Sequence, residues 1–251
     1  MNPILNSDKH YWHGFAGFYE ANLPESLDGE IIEIGILNGD SVRWLADKYP
    51  TAKIVGADIQ TANSRWPQGD NFSYEWLDQS DPRSVAAVFK KHPGPALILE
   101  DGSHQPAHQS LCLKLGLRAL RPGGIYILED IHTSFPQHPM YHEEFNKQGK
   151  NGKQQTALTV LLAFEHIKRL GRHELGPDEA LQLGIGEHFN EKEVRDMFAW
   201  VDKVIFYKRP HLPERCYCGS SDYDYHNMRC SCGKWLMLQA ESVSAMIFKK
   251  Y

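Results

Sequence analysis

From residue 30 onward the chain alternates short apolar runs with amphipathic stretches, and no other feature limits its possible folds as much. The apolar runs at residues 30–34, 53–58, 72–76, 96–100 and 125–128 read as strands. The stretches at 41–49, 82–90 and 106–120 read as helices between them. This βαβ rhythm predicts a parallel, doubly wound α/β sheet with helices on both faces. Beyond about residue 153 the pattern turns helical, over 156–169 and again over 191–197. Two further strands are expected at 201–207 and 242–248, forming a C-terminal antiparallel hairpin. Between them lies a cysteine-rich segment flanked by Pro210 and Pro213, read as an insertion in that hairpin. The expected organisation is one Rossmann-like domain, residues 1–209 and 240–251, carrying a small insertion at 210–239.

The first strand runs into Glu33-Ile34-Gly35-Ile36-Leu37-Asn38-Gly39-Asp40-Ser41, a glycine-bearing turn that leads directly into a helix. Glycine there lets the backbone pass close to a ligand. The spacing E-x-G-x-x-x-G departs from the dinucleotide fingerprint, which disfavours a dinucleotide. Asp58 ends the second strand, where a carboxylate can accept from both ribose hydroxyls of a nucleoside. Asp78 and Gln79 end the third, within reach of an adenine. These residues resemble motif I and the acidic motifs of class I S-adenosylmethionine (SAM) dependent methyltransferases, whose sheet ends in an antiparallel hairpin. The resemblance implies SAM as cofactor, with Glu33, Gly35, Gly39, Ser41, Asp58, Asp78 and Gln79 around it.

The fourth strand ends in Glu100-Asp101-Gly102-Ser103-His104 and the fifth in Glu129-Asp130-Ile131-His132-Thr133. In such a sheet these strands are neighbours about 4.8 Å apart, so their terminal carboxylates converge. Asp101, Glu129 and Asp130 repel one another unless a cation sits among them. Oxygen ligands favour a hard ion, Mg²⁺ or alternatively Mn²⁺. A metal lowers the pKa of a coordinated hydroxyl, and His104, three residues past Asp101, is placed to act as its base. His132 is a second candidate, read as positioning or structural.

Asp101-Gly102-Ser103-His104, Glu129-Asp130-Ile131-His132-Thr133-Ser134 and the early Ser7-Asp8-Lys9 resemble motifs of metal-dependent sugar O-methyltransferases acting on macrolide antibiotics, the mycinamicin and tylosin tailoring enzymes. The similarity covers roughly residues 5–135, and a related cephalosporin-hydroxylase-like group shares the sheet and acids. It implies that Asp101, Glu129 and Asp130 hold Mg²⁺, that His104 is the catalytic base, and that Ser7, where the family usually has threonine, lies near the cofactor. The stretch after residue 135, with His138, Tyr141 and His142, reads as a mobile loop or lid.

Cys216-Tyr217-Cys218-Gly219 and Cys230-Ser231-Cys232-Gly233 form two matching C-x-C-G elements. Four thiolates in two pairs suit a closed, structural tetrahedral zinc site. Disulfides and an iron–sulfur cluster are the other options, and His226 can replace one thiolate. An insertion this small draws much of its folding energy from a metal. Cys112 stands apart and reads as a buried small hydrophobe.

A formal charge of -5 with scattered lysines and arginines argues against nucleic acid as a partner. Apolar runs are too short to cross a bilayer and no signal pattern is visible, so the expected setting is the cytoplasm. The expected function is Mg²⁺-dependent, SAM-dependent O-methylation of a small hydroxylated acceptor, a sugar or glycosylated natural product. A phenol or catechol acceptor, and a non-catalytic binding module built on the cysteine knuckle, are the alternatives. Homo-oligomerisation stays open.

Overall fold

The computed structural model describes residues 3–146, 155–236 and 242–251. The expected insertion boundary at 239/240 lies outside these described residues. The strands are β1 (Glu30–Ile34), β2 (Lys53–Asp58), β3 (Phe72–Trp76), β4 (Leu97–Glu100), β5 (Ile125–Leu128), β6 (Val201–Lys208), β7 (Tyr223–Asp224), β8 (Arg229–Cys230) and β9 (Val243–Lys249). The helices are α1 (Asp8–Tyr11), α2 (Phe15–Asn22), α3 (Asp40–Lys48), α4 (Pro82–Lys91), α5 (Pro106–Ala119), α6 (Pro139–Tyr141), α7 (Ala157–Arg169), α8 (Pro177–Leu183) and α9 (Glu191–Trp200).

Among the described residues the main sheet has seven strands in the order β3-β2-β1-β4-β5-β9-β6. The first five are mutually parallel, while β9 runs antiparallel to both β5 and β6. The doubly wound sheet and its C-terminal hairpin are therefore as the sequence predicts. The strands are apolar along their length because both faces are covered. Tyr126 and Leu128 of β5 join one core with residues of α4, α5, α7 and α9. Ile125 and Ile127, pointing the other way, join a second core with Phe15, Tyr19 and Trp44 of α2 and α3.

Local signals fix the helix starts. Asp81 accepts from the Arg83 N–H at 2.9 Å and Pro82 opens α4; Asn190 and Glu193 form a capping box at α9. The segment after residue 135, read as a mobile loop or lid, carries short helical turns. His138 caps α6, its Nδ1 accepting from the Met140 N–H at 3.2 Å. The helical start of the chain, α1 and α2, has no counterpart in the sequence reading, and it carries residues that prove central to the site.

Parallel strands deliver their C-terminal ends to one edge, and chain order reverses between β1 and β4, the crevice where open α/β sheets bind ligands. No described helix is long and apolar enough to cross a membrane.

Candidate active site

A cavity of roughly 530 Å³ opens at that crevice. One side is lined by the loops after β1, β2 and β3, including Gly35, Asp58, Asp78 and Gln79. The other is lined by Asp101, His104, Glu129 and Asp130 after β4 and β5, with His13 and Tyr217.

The glycine turn is built for close approach. Gly35 has φ +85°, and a Cβ there would lie 2.2 Å from the Asp101 carbonyl oxygen, so only glycine lets the β1 loop pass the β4 loop. Asp58 accepts from the Ile36 N–H and the Gln60 N–H, each at 2.8 Å. A carboxylate has about four lone-pair sites, so two remain for a ligand. Asp78 is half-buried, and hydrogen bonds from Ser80 hold its pKa below the usual value.

Other expected cofactor residues make contacts mainly with the protein. Glu33 is fully buried under the turn and accepts from the Ser41 hydroxyl. Burial pushes the Glu33 carboxyl up to about 7, against the nearby Lys9 charge. Gly39, φ +78°, starts α3. Gln79 spends its amide on the protein, donating to Glu100 at 2.7 Å and accepting from the Ser103 N–H at 2.7 Å, which locks the β4 loop. Its Nε2 also lies 3.4 Å from the sulfur of Cys112, which is buried. Ser7 caps α1, accepting from the Lys9 N–H at 3.3 Å, and lines a smaller cleft beside the glycine turn.

The three acidic residues have different surroundings. Ligand atoms of Asp101, His104 and Asp130 lie within 4.8 Å of one another. Glu129 stands outside this trio: it is buried, accepts from the Tyr19 hydroxyl at 2.6 Å, and lies 3.0 Å from Lys9 Nζ. The same ammonium pairs with Asp101. Burial would push Lys9 down, but Asp101, Glu129 and Glu33 hold it well above its usual pKa, so it stays charged. Lys9 thus places one positive charge between Asp101 and Glu129, an ammonium that the sequence argument did not count.

His104 and Asp130 both adopt left-handed backbone conformations, φ +57° and +49°, which cost about 1–3 kcal/mol each and cluster at functional sites. The Thr133 hydroxyl holds His104 there by donating to its carbonyl at 2.6 Å. His104 Nε2 lies 3.8 Å from Asp101 and 3.9 Å from Asp130, and its Nδ1 is buried with no hydrogen-bond partner among the described residues. Burial lowers its pKa, opposed by Asp101. The converging carboxylate oxygens suit a hard divalent ion, Mg²⁺ or Mn²⁺, with the imidazole of His104 beside it. His132 lies 3.6 Å from Asp130, and burial pushes its pKa down to about 3, which keeps it neutral.

Lys9, His13, Tyr19 and Tyr217 were not singled out from the sequence. Only Lys9 had a signal, as the third residue of the Ser7-Asp8-Lys9 motif. The thiols of Cys216, Cys218, Cys230 and Cys232 come together, again within 4.8 Å of one another, and His226 is not among them.

Sheet order, terminal hairpin and cavity at the reversal point define the class I SAM-dependent methyltransferase fold. The MycE methyltransferase from the mycinamycin biosynthetic pathway, solved in complex with Mg and SAH, shares it with a TM-score of 0.60 at 19% identity, over 95% of this chain and 50% of that one. In sequence, the chain is 30% identical over 132 residues to L-olivosyl-oleandolide 3-O-methyltransferase of Streptomyces antibioticus, covering 49% of this chain and 34% of that protein. It is 26% identical over 204 residues to demethylmacrocin O-methyltransferase of Streptomyces fradiae, 77% of this chain and 49% of that protein. The chain thus spans a third to a half of the length of these curated relatives. No protein-family model matches it.

Proposed function

We propose that this chain is a metal-dependent, SAM-dependent O-methyltransferase whose acceptor is a hydroxyl of a sugar or glycosylated small molecule. The observation that carries the reading is a single cavity joining the nucleoside-type crevice of β1–β3 to the Asp101, His104 and Asp130 trio. The names of the sequence relatives, O-methyltransferases of an olivosyl macrolide and of demethylmacrocin, support a glycosidic acceptor.

Asp58 and Asp78 would hold the nucleoside of SAM beside the turn at Gly35. Bound SAM supplies an electrophilic methyl group. Asp101, Glu129 and Asp130 would hold a divalent ion, which would make a nearby acceptor hydroxyl more acidic. His104, kept neutral by burial, accepts the acceptor proton at Nε2, and Asp101 and Asp130 at 3.8 and 3.9 Å stabilise the resulting imidazolium. His104 offers a single Nε2 to the site and serves there as the base, leaving the carboxylates as metal ligands, with Lys9 fixing Asp101 beside Glu129.

Residues 1–209 and 240–251 form the catalytic domain in this reading, and 210–239 a structural zinc knuckle. The Cys216–Cys232 and Cys218–Cys230 sulfurs are each 3.6 Å apart. Zinc–sulfur bonds of about 2.3 Å put tetrahedral sulfurs about 3.8 Å apart, whereas a disulfide needs about 2.05 Å. Gly219 and Gly233, φ +88° and +90°, close two equivalent turns.

Calorimetric titration with S-adenosylhomocysteine (SAH), with Mg²⁺ and with EDTA, tests the reading without knowledge of the acceptor. Micromolar binding is expected, followed by metal-dependent methyl transfer in a glycoside screen. Folded protein that fails to bind SAH would overturn it.

A further inference from the structure

The cysteine knuckle does not stand clear of the active site; it forms part of its wall. Tyr217 sits between Cys216 and Cys218, so two of the four clustered sulfurs flank it in the chain. Its ring tilts over Trp12 with centroids 4.6 Å apart, and its hydroxyl lies 3.0 Å from His13 Nε2. The other nitrogen of His13 lies 3.0 Å from Ser242 Oγ and 3.5 Å from Asp130 Oδ1. A continuous line of contacts therefore runs from the four sulfurs through Tyr217 and His13 to a metal-site carboxylate.

The docking is firm. Trp12, Cys216, Cys230 and Leu236 form a separate buried cluster. Buried Arg209 donates to the carbonyls of both Trp12 and Leu236, and the Glu214 N–H donates to Tyr11 at 2.9 Å. Tyr217 lines the cavity beside Asp130, which follows β5, and also borders the smaller cleft with Ser7 and Gly35, whereas Asp58 ends β2 and Asp78 follows β3 on the far side of β1. That places it at the Asp101, His104 and Asp130 end of the cavity, away from Asp58 and Asp78.

We infer that Tyr217 is a positioning residue for the acceptor half of the cavity and that the metal-bound knuckle holds it there, a role that rests on the methyltransferase reading above. Zinc at the four cysteines then acts on the active site through placement, not through chemistry.

The test uses full-length protein labelled with 3-fluorotyrosine, with the Tyr217 resonance assigned by its loss in Tyr217→Phe. Elemental analysis is expected to give one zinc per chain. In the zinc-loaded protein the Tyr217 resonance should shift when Mg²⁺ and SAH are added. In Cys218→Ser/Cys232→Ser, which removes the two exposed ligands, zinc should be lost and the resonance should move to the position of a solvent-exposed tyrosine, while SAH affinity changes less than about twofold. That outcome supports the inference. A wild-type protein without zinc, or a Tyr217 resonance indifferent to zinc loss, would overturn it. If the double variant fails to fold, the Mg²⁺ and SAH response of the zinc-loaded protein decides, and no shift there counts against the role. Loss of SAH binding in folded wild type, with a zinc-dependent Tyr217 resonance, would instead remove the methyltransferase reading and leave the mechanical link standing.

Discussion

Replacing Lys9 by methionine keeps most of the side-chain volume and removes only the ammonium that lies between Asp101 and Glu129. Lys9 and Glu129 are both almost fully buried, at 3% and 1% side-chain exposure, so water cannot replace the lost charge. Removing one partner of a buried pair costs about 3–5 kcal/mol. An independent bound agrees: neutralising a carboxyl of reference pKa 4.3 at pH 7 costs about 4 kcal/mol, which caps the penalty for Glu129 if it protonates instead. For a chain of this size that corresponds to a fall in Tm of about 8–16 °C.

The sign with pH follows. Burial and Asp101 already raise the Glu129 carboxyl, and the substitution removes the lysine that opposes them. A group whose folded pKa lies above its unfolded value destabilises fully above the folded pKa, and the penalty vanishes as pH falls toward the unfolded value of about 4.3. The Tm gap between wild type and Lys9→Met should thus be widest near neutrality and close on acidification. Mg²⁺ at about a hundred times its Kd adds about 2.7 kcal/mol to whichever form binds it, and the variant, left with uncompensated carboxylates, should gain more than wild type. Thermal unfolding followed by circular dichroism, in EDTA and in Mg²⁺ across this pH range, measures all three. A shift below about 2 °C in EDTA at neutral pH, where the expectation is several-fold larger, or a gap that widens on acidification, would refute the reasoning.

His104→Ala should lower kcat by about 10²–10⁴ with SAH affinity preserved, and unchanged kcat across pH would assign the base elsewhere. Chelation by EDTA should abolish methyl transfer, restored by Mg²⁺ or Mn²⁺; full activity in chelator counts against the Asp101, Glu129 and Asp130 site. Gly35→Ala drives a Cβ against the Asp101 carbonyl oxygen at a φ of +85°, and should cost about 1–3 kcal/mol and abolish SAH binding, read by melting and calorimetry. Cys230→Ser should release the knuckle metal and lower Tm, measured by elemental analysis alongside unfolding.

Much of the fold was legible because parallel strands buried on both faces are near-continuous apolar runs, and 30–34, 53–58, 72–76 and 125–128 match β1, β2, β3 and β5 to the residue. The site acids were legible because they directly follow strands whose ends must converge. Buried partners drawn from distant segments were not. Glu33, Gln79 and Glu129 read as ligand-facing; each is fully or nearly buried with a protein partner that the sequence did not indicate, while Gln79 and Glu129 also line the cavity. No local pattern distinguishes a carboxylate that faces a ligand from one that faces Ser41 or Lys9.

The sequence by itself determined the sheet, the glycine turn, the convergence of acids after β4 and β5, and the grouping of four cysteines in one short segment, all properties of short segments and their period. Only the tertiary structure decided how charge is compensated there. It brings Lys9 across 92 residues to Asp101 and 120 to Glu129, and Tyr217 across 204 to His13. Such contacts depend on where the start of the chain and the hairpin insertion dock, a matter of packing between surfaces that hydrophobic periodicity does not encode.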